Sequence, residues 1–100
     1  MSRIKLIKFG ADWCGPCRAI DPVIDEIKAE YDANPEKGVE ILKLDVDTES
    51  EATVKYSIKS IPTLIYEVDG TEVSRSSGVQ SKSQIVLTIQ KLAREVNLPE

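Results

Sequence analysis

Cys14 and Cys17 are the only cysteines of this 100-residue chain, and they lie three positions apart. They sit where an apolar run, Ile4 to Phe9, gives way to a helical pattern. A Cys-x-x-Cys pair between a strand and a helix reads first as a dithiol able to close to a disulfide. One turn of helix brings side chains at i and i+3 onto a common face, so the two sulfurs can meet, while Gly15 and Pro16 shape the turn and start the helix. The first thiol then lies beside unpaired N–H groups and the positive end of the helix dipole, both of which favour thiolate over thiol. Cys14 is the expected nucleophile. Cys17, one turn inside the helix, is expected to be less exposed and to act second, on the mixed disulfide formed at Cys14.

Two blander readings of the pair are weaker. Tetrahedral zinc takes four N or S ligands, and a chain with no histidine and no third cysteine supplies only two of them. A purely structural bridge closing so short a loop removes little chain entropy.

The element pattern around the pair follows from periodicity. Arg3 to Phe9 predicts a strand, apolar on both faces and therefore central. Ile20, Val23, Ile24, Ile27 and Tyr31 recur at helical spacing, with Asp21, Asp25, Glu26 and Glu30 mostly on the opposite side. Pro22 falls inside this pattern and is expected to bend the helix rather than end it, because the apolar period resumes at once. Residues 32–38 read as a loop, Val39 to Leu44 as a second strand, and Ser50 to Tyr56 as a short helix with Thr48 as its cap. Asp69-Gly70 joins two further strands, Thr63 to Val68 and Thr71 to Arg75, in a hairpin. Ser76-Ser77-Gly78 reads as a flexible connection to a last amphipathic helix marked by Ile85, Ile89, Leu92, Ala93 and Val96. The order is β-α-β-α-β-β-α, an α/β arrangement in one domain spanning residues 1–100, with a four-stranded mixed sheet flanked by helices.

Trp13-Cys14-Gly15-Pro16-Cys17 resembles the active-site motif of the thioredoxin family, and Ser60-Ile61-Pro62-Thr63 resembles its cis-proline loop. The similarity runs from Lys5 to Leu92 and includes Pro22, which falls where the family's active-site helix is kinked. The resemblance implies the thioredoxin fold in a minimal form, without the family's usual first strand and helix. It also implies roles. Trp13, Gly15 and Pro16 line the substrate groove; Pro62 is the cis-proline stacked against the disulfide; Ile61 offers backbone hydrogen bonds to an extended substrate segment; Ser77-Gly78-Val79 forms another wall. In this minimal form the strand Val39 to Leu44 becomes a sheet edge, which implies either a well-charged edge or weak self-association.

Lys8 departs from the family pattern, which has a buried aspartate at this position, thought to help deprotonate the second cysteine. A lysine matching the family's own is retained at Lys43. An ammonium accepts no proton, so a carboxylate base at position 8 is lost. Either Lys8 carries its head to solvent along the strand and leaves Cys17 without a side-chain base, or the head stays, loses solvation, is repelled by Lys43, and its residual charge favours a thiolate. Burial of an unpaired ammonium is costly, which favours the first outcome. Gly10, where the family tends to have a bulky aromatic, is a second departure expected to loosen packing near the site.

Composition sets the outer limits. With 41% hydrophobic and 30% charged residues, the chain is of ordinary globular type. A formal net charge of -4 argues against a nucleic-acid partner, which calls for a basic face. Lysines interrupt the apolar residues of Met1 to Lys8, so the segment has no signal-peptide core, and no stretch reaches membrane-spanning length. These features point to a cytoplasmic, reducing setting, where an isolated Cys-x-x-Cys is catalytic more often than structural. The reading is a protein-disulfide reductase with no cofactor beyond its Cys14–Cys17 disulfide. Its partners are disulfide-containing proteins and, by resemblance, a thioredoxin-reductase-type donor. A glutaredoxin-like protein using glutathione is one rival; an accessory subunit that docks a partner around Trp13, Pro62 and Gly78 is the other.

Overall fold

Alternation along the first strand sets up both layers of the fold. In the computed structural model, which describes Ser2–Glu100 and leaves Met1 of the amino-terminal segment outside the described residues, β1 spans Ile4–Gly10. Successive side chains of a strand point to opposite faces. Ile4 and Leu6 accordingly enter one core, and Ile7 and Phe9 another. By the same period Lys8 and Gly10 lie on the side of Ile4 and Leu6.

The chain continues through α1 (Gly15–Asp32), a single 3-10 turn at Pro35–Lys37, β2 (Val39–Asp45), α2 (Ser50–Lys55), β3 (Thr63–Val68), β4 (Thr71–Ser77) and α3 (Lys82–Glu95). The strands lie in the order β2-β1-β3-β4. β1 is central, parallel to β2 with Lys8 opposite Lys43, and antiparallel to β3 with Lys8 opposite Leu64. This is the mixed four-stranded α/β sheet expected from the sequence. Asp69 and Gly70 both adopt positive φ, 50° and 84°, the backbone that a two-residue hairpin connection requires.

Several boundaries differ from the sequence expectation. Ser76 and Ser77 belong to β4 rather than to a flexible connection, because their backbones pair with Leu64 and Thr63. Thr48 does not cap α2: the N-cap is Glu49, without a side-chain cap, and Thr48 Oγ1 instead donates to the Asp45 carbonyl at 3.4 Å. The loop after α1 is partly tightened into the 3-10 turn, closed by Gly38 in the left-handed region. α1 runs unbroken through Pro22, whose ring leaves one helical carbonyl without a donor on an exposed turn.

Side chains of α1 and α3 meet on one face of the sheet, where Ile20, Ile24, Ile27, Ile85 and Ile89 pack over Ile4, Leu6, Ile41 and Leu64. Burying each aliphatic side chain is worth about 1.5–3 kcal/mol, so this layer carries most of the hydrophobic stabilisation. Ser81 caps α3 in a reciprocal box: its Oγ accepts from the Gln84 N–H at 3.2 Å, and Gln84 Oε1 accepts from the Ser81 N–H at 2.9 Å. The opposite face is thinner. Ile7, Phe9 and Ile65 are its buried apolar residues among those described, covered by Leu42, Leu44, Ala52, Tyr56 and Ile58. The β2 edge carries charge in the form of Glu40, near Lys5 Nζ at 3.9 Å, and Lys43, 2.6 Å from Asp25 Oδ1.

Two tyrosines tie stability to alkaline pH. Tyr66 is buried, and burial raises its pKa to about 12. Thr88 lies towards the phenol and opposes this rise, yet its hydroxyl donates to the Gln84 carbonyl and Tyr66 Oη has no hydrogen-bond partner. Burial is therefore the effect that prevails. Tyr56 is also raised to about 12, chiefly by donating to Glu67 Oε2 at 2.5 Å. Both phenols hold their protons more tightly folded than unfolded, so the unfolded chain binds fewer protons above its phenol pKa. Their stabilisation is complete below about pH 10 and is lost as pH rises through about 12. Urea midpoints falling across that window in wild type, and falling less in Tyr66→Phe, are the expected result; parallel curves for the two proteins contradict it.

Candidate active site at the head of the first helix

Cys14 occupies the N-cap of α1, and its Sγ accepts the Cys17 N–H at 3.3 Å. The sulfur thus takes one of the N–H groups that a helix start leaves unpaired. Pro16 sits in the first turn, where no donor is needed. Cys14 and Cys17 are joined as a disulfide. The inner sulfur is sealed, with Cys17 at 0% exposure. Cys14 is more covered than the sequence led us to expect, at 6% exposure, because Ala11, Val46 and Ile61 pack around the bridge.

The other segments picked out from the sequence converge here. The Ile61–Pro62 bond is cis, and the Ile61 carbonyl lies 3.9 Å from Cys14 Sγ. With that sulfur in a disulfide there is no S–H, so the approach is a contact rather than a hydrogen bond. The Gly78 N–H donates to the Pro62 carbonyl at 2.9 Å, which seats Gly78, with φ of 88°, beside the proline. Ser77 Oγ is 3.4 Å from Ser60 Oγ. Gly15 and Pro16 are exposed. Trp13 is 69% exposed and is pinned by its Nε1–H donating to Asp47 Oδ2 at 2.8 Å. Asp47 was not singled out from the sequence; its signal is the acidic stretch Asp45-Val46-Asp47 at the end of β2. Trp13, Val46, Thr53, Ile58 and Ile61 line a largely apolar cavity of about 200 Å³ beside the disulfide.

Lys8 takes the second course expected from the sequence in part: its head stays buried, but paired with a carboxylate rather than repelled by Lys43. Its head does not reach solvent: the residue is 5% exposed, and Nζ lies 2.6 Å from Asp21 Oδ1. The approach is that of an ion pair outside hydrogen-bond angles, since Asp21 Oδ1 has no hydrogen-bond partner. Nor does Lys43 confront it. Lys43 Nζ is 2.6 Å from Asp25 Oδ1, and this pairing raises the Lys43 pKa. The two aspartates, placed by helical periodicity away from the core, instead reach down along the flank of α1 to the strand lysines. Gly10 does not loosen the packing either. A Cβ at this position would sit 2.7 Å from Lys8 Nζ and 3.2 Å from Cys17 Sγ, so the missing side chain is what admits the ammonium.

Among the described residues, no group of three or more His, Cys, Asp or Glu side chains is placed to hold a metal ion, and no helix is long and apolar enough to cross a membrane. The family model for thioredoxin matches residues 1–91. The chain belongs to the thioredoxin family. Thioredoxin from Staphylococcus epidermidis is 42% identical over 90 residues, which is 90% of this chain and 83% of that protein. Thioredoxin from Staphylococcus aureus is 41% identical over the same shares. Among solved structures, Fasciola hepatica thioredoxin superposes with a TM-score of 0.77 at 38% identity, over 90% of this chain and 81% of the other. A mutant thioredoxin from Halobacterium salinarum gives 0.78 at 30% identity, over 90% and 74%. Thioredoxin membership and the Cys14–Cys17 disulfide together make this protein a thiol-disulfide oxidoreductase acting on protein disulfides.

Proposed function

We propose that this thioredoxin-family protein works as a reductant, with Cys14 as nucleophile and Cys17 as resolving thiol. The observation that carries the assignment is the asymmetry of the pair, with Cys14 at the helix N-cap and next to open groove, and Cys17 sealed behind it. In the reduced protein the Cys14 thiolate attacks a substrate disulfide, forming a mixed disulfide and expelling one substrate thiolate. The Cys17 thiolate then attacks Cys14 Sγ, closing the intramolecular bridge and releasing the second substrate thiolate. Two electrons pass from the protein dithiol to the substrate, each thiolate released takes up a proton, and no cofactor takes part.

The substrate groove in this reading runs past Trp13, Gly15 and Pro16 on one side and Ile61, Pro62, Ser77 and Gly78 on the other. An extended segment of the substrate protein pairs with the free backbone of Ile61. A thioredoxin-reductase-type enzyme is the electron donor, the setting is the reducing cytoplasm, and the chain acts as a monomer or a weak self-associate. Insulin reduction driven by a dithiol donor tests the reading: wild type is active and Cys14→Ser inactive. Equal rates for the two proteins reject it, and recycling by glutathione as fast as by a reductase moves the protein to the glutathione-dependent class.

A further inference from the structure

A buried ammonium lies under the inner cysteine, and the exchange steps above give it no task. Lys8 Nζ and Cys17 Sγ are two of the three atoms that a Cβ at Gly10 would crowd, from 2.7 Å and 3.2 Å respectively, the third being Cys17 Cβ. They are therefore no farther apart than those two distances laid end to end. Asp21 lies one turn beyond Cys17 on α1, on the same helix face, and its carboxylate meets the ammonium at 2.6 Å. Above the ammonium a cavity of about 140 Å³ is lined by Lys8, Gly10, Ala11, Asp12, Asp21, Lys43, Leu44 and Asp45. It is polar and large enough for water, and Gly10, which packs against Cys17, forms part of its wall.

We propose that Lys8 is a positioning residue for the resolving step: its ammonium, seated in the space left by Gly10 and held by Asp21, stabilises the Cys17 thiolate that attacks Cys14 Sγ. The inference rests on Cys17 being the resolving thiol. A cation within about 4–6 Å lowers an acid's pKa by roughly one to three units, more strongly where water is excluded. Several other charges face the ammonium, Asp21 most directly. On α1 these are Asp21, its counterion, and Asp25, which is engaged by Lys43. β2 contributes Lys43 and, across the cavity, Asp45; Asp12 closes the near rim. β3 presents Leu64, which does not titrate. The proton leaves Cys17 for cavity water, the S–S bond to Cys14 forms, and the substrate sulfur departs as thiolate.

The test reads the Cys17 thiol directly. In Cys14→Ser, Cys17 is the only thiol of the chain, and its thiolate absorbance is titrated with and without Lys8→Met. Methionine keeps the apolar stem and removes the charge; Lys8→Gln serves as a second neutral variant should the first not fold, judged by circular dichroism. The Cys17 pKa is expected to rise by at least about one pH unit. Resolution of a preformed mixed disulfide, in protein that keeps both cysteines, then slows about threefold at neutral pH. A tenfold loss of thiolate is partly offset by the greater nucleophilicity of a more basic sulfur. Gly10→Ala, which displaces the ammonium without deleting it, shifts Cys17 in the same direction, whereas Asp21→Asn lowers its pKa or leaves it in place. An unchanged Cys17 pKa in Lys8→Met overturns the proposal. So does an equal rise in Asp21→Asn, which would assign the effect to packing of the pair and not to the lysine's charge. Insulin reduction by wild type is read separately, so this inference can fail while the assignment of the two cysteines stands.

Discussion

Cys17→Ser is expected to turn this protein from a catalyst into a trap. With Cys14 intact, attack on a substrate disulfide proceeds, but a serine hydroxyl does not ionise at neutral pH and cannot displace the substrate sulfur. Release must then wait for an external thiol. Well-placed intramolecular groups act at effective molarities of about 10⁵ M or more, so millimolar external thiol resolves the adduct several orders of magnitude more slowly. Turnover in the insulin assay collapses, while an insulin–protein conjugate accumulates that reducing agent dissolves. Non-reducing electrophoresis and intact-mass measurement detect it. The geometry makes the outcome one-sided, because Cys14 caps the helix next to the groove and Cys17 has no exposed surface. Conjugates collecting on Cys14→Ser and not on Cys17→Ser would reverse the assignment.

Phe9→Ala is expected to give the largest loss of stability of any single truncation on the α2 side of the sheet. Phe9 is fully buried there, with Ile7 and Ile65 as its buried apolar companions among the described residues, and its ring meets that of Tyr56 at 5.5 Å between centroids. Removing a buried phenylalanine side chain costs about 3–5 kcal/mol in lost transfer energy and residual cavity. A domain of this size has a total stability of about 5–15 kcal/mol. Urea denaturation should show the midpoint falling sharply with little change in slope. Val54→Ala on exposed α2 is the control, expected to stay within about 0.5 kcal/mol of wild type. A Phe9→Ala loss below about 1 kcal/mol would mean that the thin layer can collapse around the gap. The site would register the loss too, since Val46 packs against both this layer and the disulfide.

Much of the architecture was written in local patterns. The hairpin at Asp69-Gly70, the cysteine pair at a strand–helix junction and the apolar stripes of α1 and α3 each follow from chemistry within a few residues, and the structure places each where those patterns put it. The ends of elements were less legible. Ser76 and Ser77 have turn-like side chains, yet they extend β4 because the neighbouring strand offers their backbones partners. Thr48 has the right chemistry for a cap but meets the Asp45 carbonyl instead.

The same division holds at the site. Residue type and spacing along the chain were enough to mark Cys14 and Cys17, because dithiol chemistry leaves a signature in neighbouring residues, whereas Pro62 and Gly78 were marked by resemblance to the thioredoxin family. In the folded chain, alternation along β1 puts Lys8 on the helix-covered face. What no local pattern contains is the company Lys8 keeps there: a carboxylate thirteen positions on, a glycine whose absent side chain makes room, and a second lysine drawn off by Asp25. Those contacts exist only once α1 is laid across the sheet. The charge beneath Cys17 is therefore a product of packing, since a buried ammonium is tolerable only where folding delivers it a partner.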